Sequence, residues 1–393
     1  MSEMLKKAQI MEKELVKFLS DVVAIPSLSG REGAVIQRLK EEMETIGYDE
    51  TRVDGLGNLV GRIGNGPRVL VIDGHCDVVD VGERKLWKTE PFGPVVRDGQ
   101  LYGRGCVDQK GGLSCAIQAG KLIKEAGIPE DVTLLVIASI LEEDIEGLAW
   151  RYMVEEDGLK PNAVLITEPT NLNLYRGHRG RLEMKIRAEG ISCHGSAPER
   201  GENAIYKMAP IVAEIEQLNE RLKDDAFLGK GSVTISDIRS GSPSLCAVAD
   251  SCEIHLDRRL TAGETIESAL AELEALPAFQ AAGAKAWVPE NEYTGWTGNK
   301  YSMQAYMPTW VLEEEHPLLQ TAISSYKNLF ASEPKVDKWT FSTNGVGSAG
   351  MYGIPTFGFG PGNEVQAHAP NECMPVDHLA KATAFYAEFV LNF

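Results

Sequence analysis

The stretch Leu70–Asp80, LVIDGHCDVVD, runs an apolar strand straight into His75, Cys76 and Asp77. A strand alternates its faces, so His75 and Asp77 point one way and Cys76 the other. Taken alone, H-x-D fits two things equally well. It can be a core histidine bonded to a neighbouring carboxylate, or a metal ligand whose ring a carboxylate orients. The rest of the chain has to choose between them.

Outward from this strand, the first half of the chain alternates helical and strand patterns. Residues 8–24 read as an amphipathic helix stopped by Pro26, and Ser29 is placed to cap a second helix that ends at Gly47. Strands follow at NLVGRIG and RVLVIDG, then the glycine-rich LYGRGCVDQKGG leads into a helix that ends at Gly127. The runs DVTLLVIASI and NAVLITE are short and apolar throughout, the pattern of buried parallel strands. The expectation is an α/β fold with a mixed, mostly parallel sheet flanked by helices.

The pattern changes near Gly180. RLEMKIRAEG, ENAIYKMAPIVAEIEQLNERL, GSVTISDIRSG, DSCEIHLDRRL, GETIESALAELEAL and AKAWVPENEY read in order as β-α-β-β-α-β, a ferredoxin-like α+β layout. A helix, a buried strand (IPTFGFG) and a closing helix then resume the first pattern. Residues 1–180 and 294–393 are therefore expected to form one discontinuous domain, with 181–293 inserted into it.

With 39 basic against 57 acidic residues, a formal charge of -18 argues against nucleic acid or an anionic membrane as partner. The seven cysteines form no C-x-x-C pair and are odd in number, which fits a reducing compartment better than a disulfide framework. The charged N-terminus has no secretory pattern and no apolar run approaches a bilayer span, so the expected location is the cytoplasm.

Groups able to do chemistry recur just past strand ends, the edge at which open α/β sheets bind ligands. His75 and Asp77 end one strand, and Asp108 sits in the glycine-rich turn. Glu142 and Glu143 follow the run Val132–Ile140, Glu168 follows AVLIT, and His368 lies beyond IPTFGFG. Each has an ordinary explanation by itself: a turn former, a helix cap, a surface histidine. Their joint placement does not. Two histidines with several carboxylates and no thiolate pair suit zinc or a similar divalent ion, and the carboxylates suffice for two ions. A pair of ions ~3.5–4 Å apart can lower the pKa of a shared water from ~15.7 towards ~7. Adjacent glutamates make sense if one binds metal and the other stays free as general base.

The ordered motifs GHCDVVD, YGRGCVDQKGG, LEEDIEG, ITEP, SCHGSAP and GPGNEVQAHAPNE resemble those of the clan MH co-catalytic metallohydrolases. That family includes acetylornithine deacetylase, succinyl-diaminopimelate desuccinylase, aminoacylase and glutamate carboxypeptidase. The runs EEDIEGLAW and YRGHRGR resemble its YgeY-like branch. The resemblance implies a zinc-exopeptidase-like fold with a lid and dimerisation domain inserted, and two divalent ions, zinc first, with cobalt or manganese as alternatives. It implies that Asp108 bridges the ions, His75 and Glu168 complete one site, and Glu143 and His368 complete the other. Asp77 would orient His75, Glu142 would be the general base and then acid, and the Asp108–Gln109 peptide would be cis. His194 would stabilise the oxyanion, reaching the partner subunit's site in a homodimer, and Arg258 would grip a substrate carboxylate. FSTNGVGS departs from the family's usual Gly-Gly-Thr-Asp-like loop, which makes Asn344 a candidate for contact with the substrate's polar end.

Other chemistries fit less well. GLSCA only approaches a nucleophile elbow, and GRGCVD puts Asp108 where a dinucleotide fingerprint needs glycine. The expected activity is metal-dependent hydrolysis of an amide in a small N-acyl amino acid or dipeptide-like substrate. The alternative is a non-catalytic metal- or small-ligand-binding protein on the same scaffold.

Overall fold

The computed structural model describes residues 2–393. The chain divides into two units: Met1–Gly177 with Tyr293–Tyr301 and Val311–Phe393, and His178–Glu292 with Ser302–Trp310.

The first unit is built on an eight-stranded sheet. Its order is Glu50–Val53, Leu59–Gly64, Val132–Ser139, Arg68–His75, Ala163–Ile166, Thr356–Gly358, Leu174–Tyr175, Val336–Asp337. The strand Arg68–His75 is central and runs parallel to both neighbours, with His75 beside Ser139 and Asp73 beside Ile166. Strands enclosed in this way have no wet face, which explains the uninterrupted apolar runs. The pairs at the Glu50–Val53 edge are antiparallel, so the sheet is mixed.

The helix Lys110–Ala126 packs on the closing helix Val376–Asn392 and on the strand Arg68–His75. Its first turn explains the K-G-G motif. A Cβ on Gly111 would lie 2.2 Å from the Cys106 carbonyl oxygen, and one on Gly112 would lie 2.1 Å from that of Thr167. Only glycine lets the helix start so close to the turn carrying Asp108 and to the strand end before Glu168.

Local departures from the sequence expectation have local causes. The first helix is two, Glu3–Ile10 and Glu12–Val23, because the Met11 amide turns tightly back to the Ala8 carbonyl. The next begins at Gly33, not after Ser29, and Ser29 turns its hydroxyl to the Asp77 carboxylate at 2.7 Å.

The second unit is an antiparallel sheet in the order Ser232–Gly241, Ser251–Leu260, Gly180–Glu189, Lys285–Trp287, with Tyr306–Met307 also on Gly180–Glu189. Cys252, Ile254, Leu256 and Leu260 turn inward on Ser251–Leu260 and pack with Met208, Ile211 and Ile215 of the helix Ala204–Arg221. AKAWVPENEY is not one strand. Pro289, which has no N–H to give a ladder, separates Lys285–Trp287 from Glu290–Thr294, and the latter pairs in a hairpin with Lys300–Gln304. The tip of that hairpin belongs to the first unit. The chain then returns to the second for Ser302–Trp310, so the insertion is longer than 181–293 and is interrupted. Among the described residues no helix is long and apolar enough to cross a membrane.

Candidate metal centre

Sheet register decides where the ligands fall. Parallel neighbours end together, so His75, the Glu142–Glu143 turn after Ser139, and Glu168 after Ile166 reach one edge. The glycine-rich turn brings Asp108 there, with the Asp108–Gln109 peptide in the cis form. The loop after Thr356–Gly358 brings His368.

The two oxygens of Asp108 face different histidines. Oδ1 is 3.2 Å from His75 Nε2 and Oδ2 is 3.4 Å from His368 Nε2. His75 Nε2 also lies 3.5 Å from Glu168 Oε1 and 3.7 Å from Glu142 Oε2, while His368 Nε2 is 2.8 Å from Glu143 Oε2. Donors bound to zinc at ~2.1 Å in a tetrahedron stand about 3.4 Å apart. The cluster has that spacing.

One carboxylate holds much of this geometry. Asp77 Oδ1 accepts the Glu142 amide at 3.2 Å and Oδ2 the Glu143 amide at 3.1 Å. His75 Nδ1 lies 3.0 Å from the Asp77 carbonyl oxygen and 3.4 Å from its carboxylate. Both are acceptors, so Nδ1 carries the proton and Nε2 presents a lone pair to a metal. Burial works against the Asp77 charge, but His75, Ser29 and the Glu143 amide outweigh it and hold the carboxyl below the usual range.

The neighbouring amides are also taken by side chains. Asn58 Oδ1 accepts from Ile140 and Glu32 Oε1 from Leu141, each at 3.1 Å. The whole Ile140–Glu143 turn therefore hangs on Asn58, Glu32 and Asp77, and Leu141 is in the left-handed region at φ 61°. Asn58 and Glu32 were not among the residues singled out in the sequence, and Ser29 was singled out only as a helix cap. They lie far from the motifs, and only their position after or between apolar segments hinted at them.

The donor set fits divalent cations. Burial, and then the other carboxylates, push Glu142, Glu143 and Glu168 above the ordinary glutamate range. Burial opposes charge on His75, yet Glu142, Asp108, Asp77 and Glu168 raise it, and the bond to Glu143 raises His368. Glu142 Oε1 and Glu168 Oε2 are buried with no hydrogen-bond donor. So many carboxylates gathered in one largely buried cluster call for positive charge at its centre.

The other three candidates have surroundings of their own. Asn344 is 2 % exposed and commits its amide inside the fold. Nδ2 donates to Asp73 Oδ2 at 3.1 Å and Ser139 Oγ at 2.9 Å, and Oδ1 accepts from the Gly147 amide at 3.0 Å. It supports Asp73, which also takes the Trp150 indole N–H at 2.8 Å, and has no polar atom to spare for a substrate. Arg258 needs correction in the same sense. It shares the inward parity of Ile254, Leu256 and Leu260, is 1 % exposed, and pairs with Glu264 and Glu272. A guanidinium enclosed in that way is not available to grip a substrate. Arg259 points the other way, 35 % exposed and beside Asp257.

His194 is exposed on a loop of the second unit, bridged to Ala247. Its Nδ1 accepts the Ser196 amide at 3.2 Å. A backbone N–H can only donate, so the neutral ring carries its proton on Nε2.

The fold and this donor set suit a metal-dependent hydrolase. A family profile described as "Peptidase family M20/M25/M40" matches residues 71–392, and the chain belongs to that family, whose members hydrolyse amide bonds. It is 48 % identical over 388 residues to "Uncharacterized protein YgeY" of Escherichia coli (strain K12), covering 99 % of this chain and 96 % of that one. It is 26 % identical to the acetylornithine deacetylase of Proteus mirabilis (strain HI4320), covering 96 % of each. Among solved structures, the aminopeptidase PepT from Bacillus cereus ATCC 10987 aligns with a TM-score of 0.74 at 20 % identity, over 97 % of this chain and 98 % of that one. The Bacillus subtilis YXEP protein, titled a dinuclear metal binding peptidase, aligns at 0.71 and 14 % identity over 98 % of each. At those identities the likeness concerns the fold.

Proposed function

We propose that the chain hydrolyses the amide bond of a small N-acyl amino acid or dipeptide-like substrate that carries a carboxylate. The carrying observation is the placement of Asp108, one oxygen toward His75 and the other toward His368. His75, Asp108 and Glu168 would hold one ion, and Asp108, Glu143 and His368 the other. The ions, zinc by donor chemistry with cobalt or manganese as alternatives, would polarise the scissile carbonyl and acidify a water.

The remaining steps fall to the protein. Glu142 takes the water's proton on its carboxylate and delivers it to the leaving nitrogen, a role worth typically 10²–10⁴-fold. His194 offers Nε2–H to the oxyanion, and a homodimer joined through the inserted unit supplies it to the partner's centre. The expected setting is the cytoplasm.

Glu142→Gln keeps the shape and removes the base. It should lower kcat by at least a hundredfold on a hydrolysed N-acyl amino acid or dipeptide while leaving bound metal near the wild-type amount. Full activity in that variant would sink the assignment of the base. Chelator-resistant turnover of the wild type would sink the metal mechanism.

A further inference from the structure

The run that carries His368 also carries Glu372, and the run ahead of Asp108 carries Arg104. Neither has a part in the chemistry above. Both are buried, and together they tie the two runs to each other.

Glu372 has no exposed surface, and its carboxylate is spent on the turn that presents Asp108. Oε1 accepts from the amides of Val107 at 2.7 Å and Asp108 at 3.0 Å, and Oε2 from that of Gly105 at 3.0 Å. Oε2 also takes Arg104 Nη1 at 2.8 Å. The same guanidinium reaches to the other run, where Nη2 donates to the His368 carbonyl at 3.3 Å and Nη1 to the Ala369 carbonyl at 3.4 Å.

His368 needs such a hold. Its backbone is in the left-handed region at φ 59°, which side chains other than glycine rarely adopt, and no regular strand or helix fixes it. His75 and Glu168 need no help from this pair, since each follows directly from a strand of the central sheet.

A buried ion pair is weak evidence of stabilisation, because desolvating both charges offsets their attraction. What this pair supplies is register. One carboxylate fixes the backbone at Asp108, and one guanidinium joins that carboxylate to the backbone at His368.

We propose that Glu372 and Arg104 are positioning residues that set the separation of Asp108 from His368, and so govern affinity for the ion on the His368 side more than for the one on the His75 side. The inference rests on the two-ion reading above.

Supporting groups of metal ligands typically change affinity by roughly tenfold to a hundredfold when removed. The test is to equilibrate full-length wild type, Glu372→Gln and Arg104→Met against zinc buffered by a chelator, and to count zinc per chain across the series. The wild type should hold two ions. Each variant should bind the ion on the His368 side at least tenfold more weakly and the other ion by a clearly smaller factor, since Asp108 serves both. His368→Ala should weaken the same ion, and adding Glu372→Gln to it should change little more.

A wild type that binds fewer than two ions overturns the two-ion reading and this inference with it. A wild type with two ions, and variants that hold both at wild-type affinity, overturn the positioning role alone. So does equal loss of both ions, or metal loss that only follows a lower melting temperature of the metal-free protein. Those patterns would mark the pair as general support for the fold.

Discussion

The two histidines of the centre are held by different means. His75 ends a central strand with parallel neighbours on both sides, and its side chain is 1 % exposed. His368 sits on a loop beyond a three-residue strand, and its side chain is 57 % exposed. Sheet register places the first, so its position is as secure as the core. Hydrogen bonds from Arg104, 264 positions away, help place the second. One half of the centre is a product of the fold, and the other is assembled onto it. The His75 half should therefore fail only when the sheet or its buried polar supports fail.

The severest test of that contrast is Asp77→Asn. An amide nitrogen in place of Oδ1 would face the His75 N–H and the Glu142 amide, and one in place of Oδ2 would face the Glu143 amide, so either sets donor against donor. At least one of those bonds is lost in either orientation of the new side chain. Metal affinity on the His75 side should fall by roughly ten- to a hundredfold, and kcat with it. Zinc titration and steady-state rates read both. If the variant keeps both ions at wild-type affinity and full rate, Asp77 does not hold the strand-end half together.

The same contrast explains what could be read from the sequence. His75, Glu142, Glu143 and Glu168 each interrupt or follow an apolar run, and parallel strands that end together bring such residues to one edge. Order along the chain was enough for them. Ser29 shows where local rules stop: a serine ahead of a helix suits a cap, but the buried Asp77 carboxylate competes for its hydroxyl and wins. Asn344 stood out as a departure from a motif, which says nothing about direction, and the buried Asp73 turned it inward. For Arg258 the signal was present. It has the parity of Ile254, Leu256 and Leu260, so the apolar face of its own strand already assigned it to the covered side.

A second test uses pH and the Leu141 amide. Burial, then the nearby Asp77 charge, raises the Glu32 carboxyl to about 7. The folded state therefore holds a proton that the unfolded state, with an ordinary carboxyl near 4.5, releases. Stability from this group is fully present below pH ~4.5 and is lost as pH rises through ~7. At ~1.4 kcal/mol per pKa unit the whole change is about 3.5 kcal/mol. Glu32→Gln keeps an oxygen for the Leu141 amide and cannot titrate. In chelator, so that metal does not contribute, urea unfolding at pH 5 and pH 7 should show a smaller fall for the variant than for the wild type. Equal falls would mean that the turn ahead of Glu142 does not depend on a protonated Glu32.

The smallest effect separates support from recognition beneath the same strand. Asn344 bonds Asp73 and Ser139, and Ser139 pairs in register with His75. Asn344→Ala leaves the Gly147 amide without a partner in a buried site and takes one of two donors from Asp73 Oδ2, the Trp150 indole remaining, at a cost of about 1–3 kcal/mol. The unfolding midpoint should fall while KM stays near its wild-type value, because the amide faces the fold. A raised KM with an unchanged midpoint would restore Asn344 as a substrate contact. It would also show that the loop before Val346 adopts a second arrangement when substrate is bound. In that case the His75 half would share the adaptability that the present structure assigns to the His368 side.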